Sequence, residues 1–339
     1  MKYGISETGI RKRRKKEYLV LLALILIWLV LAVFLLLWGD QVYDFETVFQ
    51  VIAGKEIKGA SYAVRTIRIP RILIGTLAGF AFACAGNTFQ KIMRNALASP
   101  DVMGITTGAS AGAVFTMMVL KKSGISVSLS AMAGGILAAS AILFLSRTKN
   151  FSVSRMILTG IGIQAMLQAV INFIILKTSD YNIADALRWL SGSLNGVRMN
   201  EVPVFLAIVC ICTLVILAMG KDLQVLGLGE ELPVTLGMHV QRSRAVLIYA
   251  AVILCAGAAS VTGPLSSVAF MSGPLIQRVI RTGNNNTLQA GMTGAVLVLF
   301  SEAVGQFAFS VRYPAGVVTG IIGAPYLIYL LIRMNGKSA

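Results

Sequence analysis

Uncharged apolar stretches of about 17 to 25 residues follow one another along this chain, each long enough to cross a bilayer core as a helix. Short segments carrying most of the charge separate them. The first runs from Tyr18 to Trp38, behind the basic block Arg11–Lys16. A secretory signal would be shorter and would end in a small-x-small site, which Trp38-Gly-Asp-Gln does not offer. The second, Ile72 to Phe89, closes on Gln90, Lys91 and Arg94, and the third starts near Asp101. Further stretches cover about 127–146, 154–176, 202–219, 245–261, 263–278, 288–310 and the run ending at Ile332. The pattern predicts an all-α integral membrane protein of about ten transmembrane helices. Residues 1–17 read as a cytoplasmic basic segment and 18–339 as one transmembrane domain. An even number of crossings and the basic flanks place both termini in the cytoplasm.

The polar positions refine this picture. Residues 39–67, with Asp40, Asp44, Glu46 and Glu56, and the amphipathic segment 178–200 fall on the outside. The longest inner loop is 221–244. Gln164, Gln168 and Asn172 lie four apart, on one face of the fifth span. That face suits either helix packing or the lining of a translocation path. Pro264 and Pro274, each next to a glycine, predict a broken eighth helix, which a membrane protein tolerates where protein or water covers the freed backbone.

Composition narrows the function classes. Of 339 residues, 56% are hydrophobic and 13% charged, the balance of a membrane protein with little room for a soluble domain. The net charge of +16 sits beside apolar runs, as juxtamembrane charge does, which argues against nucleic-acid binding. Cys84, Cys210, Cys212 and Cys255 each lie inside an apolar run and read as buried small residues. With one histidine, His239, the chain offers no metal site, no cofactor site and no catalytic constellation. The tail Gly336-Lys337-Ser338 imitates the end of a P-loop. Leu331 stands where the loop's first glycine belongs, so ATP must be hydrolysed elsewhere if it drives this protein.

The stretch from Arg68 to Ala113 carries a specific order of motifs. It reads R-x-P-R at Arg68, Pro70 and Arg71, then Gly79 and Gly86, then Gln90, Asn95, Leu97, Ala98 and Pro100, then Gly104, Gly108 and Ala109. This order resembles the permease subunits of ABC importers for ferric siderophores, haem and cobalamin, with Ala96 where that family usually has proline. Trp189, Gly192 and Ser193 match an outer motif of the family. Gly316, Gly320, Gly323, Ala324 and Pro325 match its closing motif. The resemblance implies a type II ABC importer permease architecture covering nearly everything after about residue 60.

Further expectations follow from that resemblance. Arginines at Arg68 and Arg71 would pair with glutamates of an extracytoplasmic substrate-binding protein. Arg312 is a further candidate, since Gln306 stands where the family often has another arginine. Leu228, Gly229 and Glu230, with Leu236 and Gly237, resemble the segment that docks on the ATP-binding subunit, although Val234 replaces the usual alanine. Phe270, Ser272, Gly273, Pro274 and Arg278 match a subgroup whose members pair with a paralogous second permease. Ferric siderophore is the expected cargo because it is the most frequent in the family. Two other readings compete. A secondary transporter would couple transport to ions, but Glu302 is the only acid well inside an apolar run. A membrane enzyme would need a cluster of His, Asp or Glu, which is lacking.

Overall fold

The computed structural model describes residues 7–146, 152–178, 183–229, 231–280 and 286–335. Among them every regular element is helical. In chain order these are α1 (Glu7–Leu37), α2 (Phe45–Ile52), α3 (Ile69–Met93), α4 (Ile105–Val114), α5 (Ile125–Leu145), α6 (Val153–Lys177) and α7 (Ile183–Leu190). They continue with α8 (Val202–Ala218), α9 (Gly220–Leu226), α10 (Glu231–Thr235), α11 (Val240–Thr262), α12 (Val268–Ile280), α13 (Thr287–Phe307) and α14 (Ala315–Asn335). Wider π-helical turns lead into α3 at Tyr62–Arg68 and extend α4 through Phe115–Val119.

Eight of these segments are long and apolar enough to cross a membrane. Two shorter apolar helices, Ile105–Val119 and Val268–Ile280, stand where the third and eighth spans were expected. Both are short because irregular backbone precedes them. Before α4, Asn95 Oδ1 accepts from the Leu97 N–H at 2.9 Å, a turn that its short side chain makes well. Gly104, left-handed, then takes the N-cap position rather than Asp101.

The ten crossings alternate in direction. The upper end holds the 38–61 connection and α7; the lower end holds α9 and α10. Val20 and Leu24 of α1 pack on Ile276 and Ile280 of α12 and on Ala290 of α13. The Arg278 guanidinium stacks 4.9 Å from the Tyr329 ring of α14. Both ends of the described chain therefore lie at the lower end.

Helix α3 is the axis of the bundle, with 18 of its 25 residues buried. A Cβ on Gly79 would fall 2.4 Å from the Gly294 carbonyl oxygen of α13, and one on Gly86 only 1.8 Å from that of Ala269 in α12. Small residues thus let whole backbones touch, the packing that membranes favour where no hydrophobic drive exists between helices. A second crossing of this kind joins α4 to α5, through Gly108 against Gly134.

Pro274 does not break α12, contrary to the expectation from its neighbours; only residues 263–267 are irregular. Proline has no N–H, so the Phe270 carbonyl four residues back lacks its helical donor. Gln90 of α3 supplies one, with Nε2 donating to Phe270 O at 3.0 Å. Gly273 makes that approach possible, since a Cβ there would lie 2.1 Å from Gln90 Oε1.

Gly86→Ala should lower the melting temperature of the solubilised protein by several degrees, because overpacking a tight contact costs about 1–3 kcal/mol. Gly162→Ala, with nothing within 4 Å of the new methyl, should not. Equal melting of the two variants would argue against the α3–α12 contact.

Candidate functional site

At the upper end, three distant segments lock together. Gly192 and Gly263 both adopt positive φ, at 69° and 70°, conformations in which glycine is favoured. The Ser193 N–H donates to Thr262 O at 2.8 Å, and the Gly316 N–H to Gly192 O at 2.9 Å. The short motifs around Trp189, Pro264 and Gly316 are therefore parts of one knot. They hold the end of α11 and the start of α14 against the segment that follows α7.

The arginines lie around this knot, in different roles. Arg68 is 8% exposed. Its Nη1 donates to Leu36 O and Leu37 O, at 2.6 and 2.9 Å, and its Nη2 to Gln41 O at 2.5 Å. Its guanidinium also lies 4.9 Å from the Tyr43 ring centre. A cation on the last carbonyls of α1 satisfies orphan acceptors and opposes the negative end of the helix dipole. Arg71 points between α3 and α13. Its Nη2 donates to Asn195 Oδ1 at 2.6 Å, and its Nη1 lies 3.5 Å from Glu302 Oε1. Gln306 donates to the same Glu302 oxygen. Glu302 is thus a paired carboxylate that ties α13 to α3. Arg312 is half exposed and pairs with Asp40. Together Arg68, Arg71, Gln306, Arg312 and Asp40 line an outward cavity of about 440 Å³.

In the middle of the molecule, α6 buries little of its surface. Gln164 packs against the turn at Gly104. Gln168 and Asn172 are exposed on its outer side and bond each other at 3.2 Å. The spacing of four therefore places Gln168 and Asn172 as a polar pair facing away from the bundle, with Gln164 turned toward Gly104.

At the lower end, the 221–244 segment is not a plain loop. Helix α9 buries Leu223 and Leu226, and its Asp222 accepts from Ser243 Oγ of α11 at 2.6 Å. Helix α10 follows, between Gly229 and Gly237, at φ 143° and 73°. Gly237 ends it in the left-handed conformation that commonly stops helices. Pro233 is buried, whereas Leu228, Leu232, Val234 and Leu236 are all exposed. The result is a small anchored knob with an apolar crest that this chain does not cover. Glu230 lies outside the described residues. The sequence pattern named Leu228, Gly229, Leu236 and Gly237 but not Leu232, whose exposure depends on how α10 sits. Among the described residues no three His, Cys, Asp or Glu side chains gather to hold a metal.

Fold and surfaces together define an all-helical membrane permease. The chain belongs to the FecCD transport family, whose model matches residues 24–333. It is 33% identical over 300 residues to the ferric enterobactin transport system permease protein FepG of Escherichia coli, covering 88% of this chain and 91% of that one. It is 31% identical to the Fe(3+)-citrate import system permease protein YfmE of Bacillus subtilis, over 94% and 96% of the two chains. It is 32% identical to the cobalamin import system permease protein BtuC of Halobacterium salinarum, over 80% and 74%. A solved inward-facing conformation of a metal-chelate type ABC transporter shares the fold, with a TM-score of 0.83, 21% identity and 93% of this chain and 99% of that one covered.

The Arg71–Glu302 pair gives a sharp test of the upper end. Arg71→Met should destabilise the protein by about 3–5 kcal/mol, because it leaves a buried carboxylate without its partner. Adding Glu302→Gln to that variant should recover most of the loss, read as melting temperature in detergent. A double variant no more stable than Arg71→Met would mean that the two groups do not interact.

Proposed function

We propose that this chain is one half of the membrane channel of a binding-protein-dependent importer, and that it moves a ferric siderophore inward by ATP-driven alternating access. The exposed crest of α10 is the observation that carries this reading. A rigid apolar knob, anchored by Pro233 and α9 and uncovered by its own chain, suits docking on a separate ATP-binding subunit. Motion of that subunit would reach α8 and α11 through α9, which Ser243 and the buried Leu223 and Leu226 tie to the bundle.

The remaining roles follow the same logic. The basic block in the first turns of α1 orients the lower end toward the cytoplasm, with both termini there. The exposed Gln168–Asn172 stripe on α6, with Gln164 beside it, would face a second permease across the translocation path. The Phe270–Arg278 motif favours a paralogue as that second subunit. At the upper end an extracytoplasmic binding protein would deliver the ligand. Arg312 offers its exposed charge and Arg71 a partly exposed one, while Arg68 braces the rim. FepG and YfmE are named for ferric enterobactin and Fe(3+)-citrate, which supports ferric siderophore as cargo. An ion-coupled mechanism finds less support, because Glu302 is engaged by Arg71 and Gln306.

One capture experiment tests these assignments together. The tagged chain, gently solubilised from iron-starved cells, should bring down an ATP-binding subunit and a second, related permease. An intact, transport-competent preparation without any ATPase would reject the importer reading. Leu232→Asp should lose the ATPase and keep the second permease; normal ATPase capture and uptake would remove α10 from the coupling role. Arg312→Glu should weaken capture of the binding protein at low salt, where exposed charges steer association most. Unchanged capture would place docking elsewhere.

A further inference from the structure

Three helix ends meet at the lower end, around a half-open groove of about 590 Å³. Its walls are Leu143 and Phe144 of α5 and Ile248 and Tyr249 of α11; Arg242 stands exposed on its rim, and Arg244 is buried in its lining. None of its lining residues is acidic. Arg242 is exposed and makes no ion pair among the described residues. The groove opens within a turn or two of the helix ends, where a bilayer passes from headgroups to acyl chains. From it an apolar stripe leads along the outer face of α5 toward mid-height, through Phe144, Ala141, Leu137 and Ala133, all exposed. Those positions recur three or four apart, so they form one continuous track.

We propose that this groove is a binding site for an anionic phospholipid. The phosphate would sit at Arg242, and an acyl chain would lie along the Phe144–Ala133 track. The charge is right for a phosphodiester, and the start of α11 adds its positive dipole end. Neither a free anion nor a protein partner matches both halves of the site. A free phosphate has no use for the track, and an acidic peptide would leave the aromatic wall uncovered. Phospholipid here would fill the space between α5, α6 and α11 beside α9 and α10, and so stiffen the frame that carries the α10 knob.

Lipid extracted from the purified protein, measured by mass spectrometry, tests the site. The wild-type protein should retain phosphatidylglycerol well above its share in the source membrane. Arg242→Gln should lower the ratio of phosphatidylglycerol to phosphatidylethanolamine about fivefold, the effect of one cation at an anionic surface. Arg242→Lys should keep it. Delipidated protein should gain thermal stability from phosphatidylglycerol micelles and not from inorganic phosphate. Absence of enrichment, an unchanged ratio in Arg242→Gln, or equal protection by phosphate would each overturn the proposal. So would protection of a cysteine label at Leu137→Cys by the second permease in place of lipid.

Discussion

The close contact of α3 with its neighbours is the constraint on which this molecule depends. In a bilayer no hydrophobic force drives one apolar helix onto another, so the helices must gain by van der Waals fit and shared polar bonds. Helix α3 provides both. Gly79 and Gly86 bring the backbones of α13 and α12 into contact, and Gln90 donates to the Phe270 carbonyl that Pro274 leaves open. A larger residue at Gly273 would block Gln90, and a helix without Gln90 would leave a bare carbonyl in an apolar core. Four residues on two helices, far apart in sequence, therefore make one joint.

The upper end extends this joint into polar chemistry. Arg71 and Glu302 join α3 and α13 a few turns above the Gly79–Gly294 crossing, and Asn195 brings in the segment after α7. Arg68 closes α1 in the same region by taking two of its final carbonyls and that of Gln41 into one network. Positive charge at this rim is thus mostly committed within the chain, with Arg312 as its most open member.

The rest of the molecule is defined by what it leaves uncovered. Helix α1 meets the bundle along one edge, at Leu35 and its neighbours, and exposes a continuous apolar surface suited to lipid. Helix α6 is also exposed but carries Gln168 and Asn172, which lipid would not accommodate without cost. Helix α10 exposes leucines beyond the ends of the spans, where water would otherwise meet them. One chain thus exposes three kinds of surface: an apolar one on α1, a polar stripe on α6 and an apolar crest at α10.

Much of this was legible in the sequence because membrane insertion writes a strong, local signal. Length and charge of each apolar run determined the helical class and the order of the crossings. The order of glycines, Gln90, Asn95 and Pro100 determined the family. Two crossings are shorter than the runs suggested, since turn residues at Asn95–Gly104 and Gly263–Ser267 take up part of each run with non-helical backbone. Side-chain direction was decided only by the tertiary structure. Arg68 and Arg71 look alike in R-x-P-R, yet one caps α1 and the other meets Glu302, because which neighbouring helix each long side chain reaches is decided by packing and not by the motif. The sequence likewise marked Pro274 as a break. Only the fold supplied the donor that lets α12 continue through it, since that donor stands 180 residues away along the chain.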